Sequence, residues 1–77
     1  MDFDLLDNIA KMRGWNVDKK NSERAYIFGN KKVLLRKTDS GYKIILLRKG
    51  KMYDSDVTKC LGEARLLLGE TLMFRSW

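Results

Sequence analysis

Residues 31–49 read KKVLLRK-TDSG-YKIILLRK, two short apolar runs interleaved with cations and separated by a turn. Thr38, Asp39, Ser40 and Gly41 are turn formers: Asp and Ser side chains bond nearby backbone, and Gly tolerates a positive φ. The flanking runs are rich in Val, Ile, Leu and Tyr, the residues of half-buried strands. This stretch predicts a β-hairpin at the centre of the sheet.

Pairing Lys37 with Tyr42 sets Arg36 opposite Lys43, Leu34 opposite Ile45 and Lys32 opposite Leu47. Side chains alternate between the faces of a strand. One face then carries Val33, Leu35, Tyr42, Ile44 and Leu46, with Lys37 and Arg48 near its ends, and is expected to be core. The other carries Lys32, Leu34, Arg36, Lys43, Ile45, Leu47 and Lys49. That second face mixes aliphatic side chains with cations, too charged for a dry core and too apolar for a purely solvated surface. A one-residue slip would exchange the two faces.

Outward from the hairpin, residues 24–28 (RAYIF) read as a preceding strand, joined to it by a two-residue turn at Gly29-Asn30. Pairing Phe28 with Lys31 adds Arg24, Tyr26 and Phe28 to the core-facing set, and Ala25 and Ile27 to the mixed face. The polar stretch 16–23 (NVDKKNSE) reads as a loop or a frayed edge strand. Residues 48–53 (RKGKMY) read as a basic loop around Gly50. The expected sheet is a three-stranded antiparallel meander.

Helices are expected at both ends. Over residues 3–13, Leu5, Leu6 and Ile9, with Met12 or Arg13, fall at helical spacing. Asp2, Asp4 and Asp7 sit at the amino end, where the helix dipole favours anions. Gly14 suits the left-handed position after the helix, and Trp15 can fold back on Ile9 or Ala10 as a packing anchor. A second helix is predicted over residues 56–70, capped by Asp54, Ser55 or Asp56. Its stripe is Val57, Cys60, Leu61, Ala64, Leu67 and Leu68, continuing to Thr71 and Leu72. Gly69 is a possible helix end, and the tail LMFRSW offers apolar residues for packing or for an interface.

The expected fold is therefore α+β: residues 1–77 form one small two-layer domain, helix – three-stranded meander – helix (αβββα), with both helices on one sheet face. That element order is similar to a double-stranded-RNA-binding domain. Those domains carry a Lys-rich segment at the start of their last helix, whereas the corresponding segment here, YDSDVTKC, begins acidic. The likeness is one of element order alone.

Composition narrows the functional classes. The chain has 77 residues, 44% hydrophobic and 34% charged, which suits a single core in a soluble chain. No apolar run approaches the ~20 residues that span a bilayer. The acidic start MDFDLL lacks the cationic opening of a secretory signal, and the single cysteine cannot form an internal disulfide; both point to the cytoplasm. A net charge of +6 favours polyanionic partners: nucleic acid, an acidic protein surface or an anionic membrane.

Enzymatic chemistry is hard to assemble. Histidine, the commonest general base, is absent. Cys60 falls on the buried stripe of the second helix and reads as a structural thiol. Asp54 with Asp56, or Asp2 with Asp4, read as helix caps, since two carboxylates alone make a weak cation site. No metal or other cofactor is expected.

The basic hairpin and the loop after it are the one constellation above background. The expected binding residues are Lys32, Arg36, Lys43, Arg48, Lys49 and Lys51, with Leu34, Ile45 and Leu47 among them and Tyr53 as an exposed stacking ring. Lys31 and Lys37 belong to the same basic stretch. The arginines would fork onto phosphates and the lysines act as point charges. The leading expectation is a non-enzymatic module binding nucleic acid with little sequence specificity. The alternative is a protein-binding adaptor or inhibitor, of the accessory type carried by viruses and mobile elements, docking its mixed face on an acidic partner. No membrane partner is expected, and a homodimer through the mixed face or the tail is a third possibility.

Overall fold

The computed structural model describes residues 3–73. Its central hairpin pairs as the alternation of the sequence demands. Strand β3 (Lys31–Thr38) runs antiparallel to β4 (Gly41–Arg48), with Lys37 opposite Tyr42, Leu34 opposite Ile45 and Lys32 opposite Leu47. Strand β2 (Glu23–Phe28) pairs with β3 so that Phe28 faces Lys31. Val33, Leu35, Tyr42 and Ile44 are buried on one face, as are Arg24 and Tyr26; Leu46 packs at the margin. Phe28 shares that face but stays partly exposed, packed at a tilt against Trp15 with ring centroids 5.6 Å apart.

The sheet is wider than the sequence predicts. Residues 16–20 form strand β1 (Asn16–Lys20), and residues 51–58 form strand β5 (Lys51–Thr58). The three-stranded meander is thus overturned: among the described residues the sheet has five antiparallel strands in the order β1-β2-β3-β4-β5, and the element order is αβββββα. The likeness in order to a double-stranded-RNA-binding domain goes with it. Both added strands lie at edges, where one side of the backbone meets solvent. An edge tolerates the Asn, Asp, Ser and Lys that disfavour a central strand. Every residue of β5 except Thr58 is exposed, so neither burial nor periodicity marked it.

Residues 48–53 are accordingly a tight turn and the start of a strand, not a basic loop. Lys49 and Gly50 have φ of 55° and 78°, both left-handed, as the two central residues of a type I′ hairpin turn require. Lysine is an unusual choice for such a position, which favours Asn, Asp or Gly.

Helix α1 (Asp4–Met12) buries Leu6, Asp7 and Ala10 against the sheet. Its end meets the expectation. Gly14, at φ 86°, follows the last turn; its N–H donates to the Lys11 carbonyl, and the Trp15 N–H donates to that of Ala10. These two bonds make a Schellman cap, and the second delivers Trp15 into the core. The indole then donates a 2.9 Å hydrogen bond to the Leu72 carbonyl, tying the first helix's exit to the second helix.

Helix α2 (Leu61–Met73) starts five residues later than expected and runs through Gly69. Residues 56–58 belong to β5, so Asp54, Ser55 and Asp56 cap no helix. The N-terminal polar contact comes instead from Glu63, whose carboxylate accepts the Lys59 N–H at 3.1 Å. Ala64, Leu68 and Leu72 form the buried stripe, each large member worth about 1.5–3 kcal/mol of burial. Val57 is exposed, and Cys60 is exposed at the helix entrance, not packed on the stripe. Met1 and Asp2, and residues 74–77 of the tail, lie outside the described residues.

Both helices pack on the Val33/Leu35/Ile44 face of the sheet, which gives a small two-layer α+β domain. Among the described residues no helix is long and apolar enough to cross a membrane.

Candidate functional site

The turns at Gly29–Asn30 and Lys49–Gly50 stand side by side at one end of the sheet. Three cations lie abreast just inside them. Lys31 on β3 faces Arg48 on β4, and Arg48 faces Lys51 on β5. Like charges directly opposite on neighbouring strands are destabilising, so this row works against the fold that holds it. Lys32 follows Lys31 toward the other sheet face, and Lys49 occupies the adjacent turn in its unfavourable left-handed conformation. Four cations of the basic stretch, Lys31, Arg48, Lys49 and Lys51, thereby gather at one corner, with Lys32 on the opposite face of the sheet.

An aromatic ring sits within this corner. Leu46 pairs with Asp54 and Leu47 with Met52, which leaves Tyr53 as the extra residue of a β-bulge. A bulge interrupts the alternation of a strand and re-aims the side chain it carries. Tyr53 is 51% exposed, and the Arg48 guanidinium lies 5.1 Å from its ring centroid. Such a cation–π contact holds the planar ends of both side chains together. Arg48, Lys49, Lys51, Met52 and Tyr53 line one shallow depression.

The other expected site residues fall elsewhere. Leu34, Ile45 and Leu47 lie on the face opposite the helices, half-buried among their neighbours, with Ala25 and Ile27 beside them. Lys32, Arg36 and Lys43 share this open face. Arg36 is held by Glu23 across the β2–β3 pair, with Nη2 3.1 Å from the carboxylate. Lys37 and Arg48, by the alternation of their strands, belong to the opposite side. The expected single cationic face is therefore divided: a dense corner at the turn end, and a sparser frame around an aliphatic patch.

One polar cluster had no signal in the sequence. Asp7 on α1 is buried and accepts hydrogen bonds from the Tyr26 hydroxyl at 2.9 Å and the Arg24 Nε at 3.2 Å. Arg24 also donates to the carbonyls of Lys20 and Glu23 and covers the Phe3 ring at 4.7 Å. Burial, and then the bond to Asp7, push the Tyr26 hydroxyl well above its ordinary pKa. All of these groups point inward, so the cluster fastens α1 to β2 and offers no reactive surface. Asp7, read from sequence as a dipole partner, is the acceptor at its centre.

The exposed carboxylates of β5 also have a structural task. Asp54 accepts the Ser55 N–H and Asp56 accepts the Val57 N–H, each at 2.8 Å. Ser55 and Val57 are alternate residues of an edge strand, so these bonds occupy amides on its outer side. Among the described residues, no group of three or more carboxylate or thiol side chains is arranged to hold a metal ion. Comparison with protein-family models, characterised proteins and solved structures gives no match.

Proposed function

We propose that the protein is a small, non-enzymatic module that binds nucleic acid through its cationic corner with little sequence specificity. The observation that carries this reading is the row Lys31–Arg48–Lys51, flanked by Lys49. Clustered cations raise local potential and attract a phosphate chain. The arginine supplies a planar fork for phosphate oxygens, and the lysines supply mobile point charges. Contacts to phosphate position a protein without reading the bases, which supports weak sequence preference.

The test is a titration of labelled oligonucleotide between 50 and 500 mM salt. Affinity falls steeply, and replacing Arg48 and Lys51 together by Gln flattens the log–log slope by about 1.4–1.8. Salt-independent binding, or none at 50 mM, overturns the proposal.

A second reading has its own support. Ala25, Ile27, Leu34, Ile45 and Leu47 form an aliphatic patch on the face away from both helices, framed by Lys32, Arg36 and Lys43. A phosphate chain has no use for such a patch, but an acidic, partly apolar protein surface complements it. On this reading the protein is an adaptor or inhibitor of the viral or mobile-element accessory kind. Complexes would then survive nuclease treatment and be lost in Ile45→Glu.

A further inference from the structure

We infer that the nucleic acid taken by the cationic corner is single-stranded, with a base stacked on Tyr53; this rests on the nucleic-acid reading above. The first argument is width. Phe28, Lys31, Arg48 and Lys51 lie in one row, so strands β2 to β5 end flush at the two turns. Neighbouring strands are about 4.7–4.9 Å apart, which makes that end about 14 Å across before side chains are added. The major groove of B-DNA is about 12 Å wide and admits a helix or a two-stranded ribbon. Four strands abreast are too wide to lie flat in it. Docked flat, the corner meets a duplex along its outer phosphates.

The second argument is the bulge. A regular β5 would continue the alternation from Met52 through Asp54, with no residue to spare. The extra residue is Tyr53, and Arg48 lies over its ring. Phosphate contact alone has no need of an exposed ring beside a cationic row. An unpaired base does, because stacking on an aromatic face is available only to bases freed from a duplex. The two features match in scale. The row Lys31–Arg48–Lys51 spans about 10 Å across three strands, enough for two successive phosphates of one strand, with the ring beside it for the base between.

The experiment measures fluorescence anisotropy of the full chain at 50 mM salt with a labelled 12-nucleotide single strand, as DNA and as RNA, and with a hairpin duplex of 12 base pairs. We expect the single strands to bind at least tenfold more tightly than the duplex. Tyr53→Leu loses about tenfold in single-strand affinity and distinctly less in duplex affinity, while Tyr53→Phe retains both. Circular dichroism of each variant confirms that the fold is kept. Duplex binding equal to or tighter than single-strand binding, or a Tyr53→Leu variant with undiminished single-strand affinity, overturns the inference and leaves the nucleic-acid reading standing. Absence of binding to all three probes overturns both.

Discussion

The Tyr26 hydroxyl donates a 2.9 Å hydrogen bond to Asp7 Oδ1, joining β2 to α1 in the buried interior. Arg24 Nε reaches the other oxygen of the same carboxylate at 3.2 Å. A buried ion pair adds little over apolar packing, but removing one partner strands the other. Asp7→Ala is expected to destabilise the fold by about 3–5 kcal/mol, because the Arg24 charge is then left buried. Tyr26→Phe removes one bond and is expected to lose about 1–2 kcal/mol. Urea denaturation measures both, and equal losses would contradict the ranking.

The same hydroxyl contributes to the pH dependence of stability in alkali. Its folded pKa is raised, so the unfolded chain releases this proton first as pH climbs. Tyr26 therefore contributes stability that is present below pH ~10 and declines above it, by at most about 1.4 kcal/mol per pH unit from this one group. Tyr26→Phe is expected to show a shallower decline between pH 10 and 11.5. Urea midpoints across that range supply the comparison.

Glycines at two turns separate close packing from backbone conformation. A Cβ on Gly41, at φ 156°, would lie 2.0 Å from the Thr58 carbonyl oxygen. Gly29, at φ 59°, has open space around it. Gly29→Ala is expected to lose about 1–2 kcal/mol, the left-handed penalty alone. Gly41→Ala should lose clearly more, because β4 and the end of β5 must separate.

Lys49 occupies a left-handed turn position that asparagine fills better. Lys49→Asn is expected to stabilise the fold by up to about 1 kcal/mol. On the proposed function it also weakens oligonucleotide binding, by removing one cation from the corner. Gain of stability together with unchanged affinity would remove Lys49 from the site.

Asp54 and Asp56 occupy outward amides of β5. Replacing both by Ala reopens the edge to strand pairing and removes its charge. The double variant is expected to self-associate at concentrations where the parent does not. Sedimentation velocity across a concentration series reads this directly.

The central hairpin, its register, its core face and the α1–Gly14–Trp15 exit were legible in the sequence. Each rests on alternation, helical spacing or local backbone chemistry, which neighbours along the chain supply. Edge strand β5 was not legible, and β1 was legible only as one of two readings of residues 16–23, a loop or a frayed edge strand. NVDKK and KMYDSDVT lack apolar alternation because an edge strand is held by backbone bonds to a single neighbour and has little to bury. The Asp–Ser–Asp run imitates a helix cap, and reading it so shifted α2, misplaced Cys60 and dissolved β5 into a loop.

The candidate site divides along the same line. That the basic stretch holds Arg48, Lys49, Lys51 and Tyr53 is a matter of composition and order. That Lys31, Arg48 and Lys51 stand abreast, and that Tyr53 is the surplus residue of a bulge, depends on β5 pairing with β4. Charges close along a chain repel as a string. Only the cross-strand register, set by long-range hydrogen bonds, gathers them into a row and leaves Leu34, Ile45 and Leu47 on the face the helices do not cover.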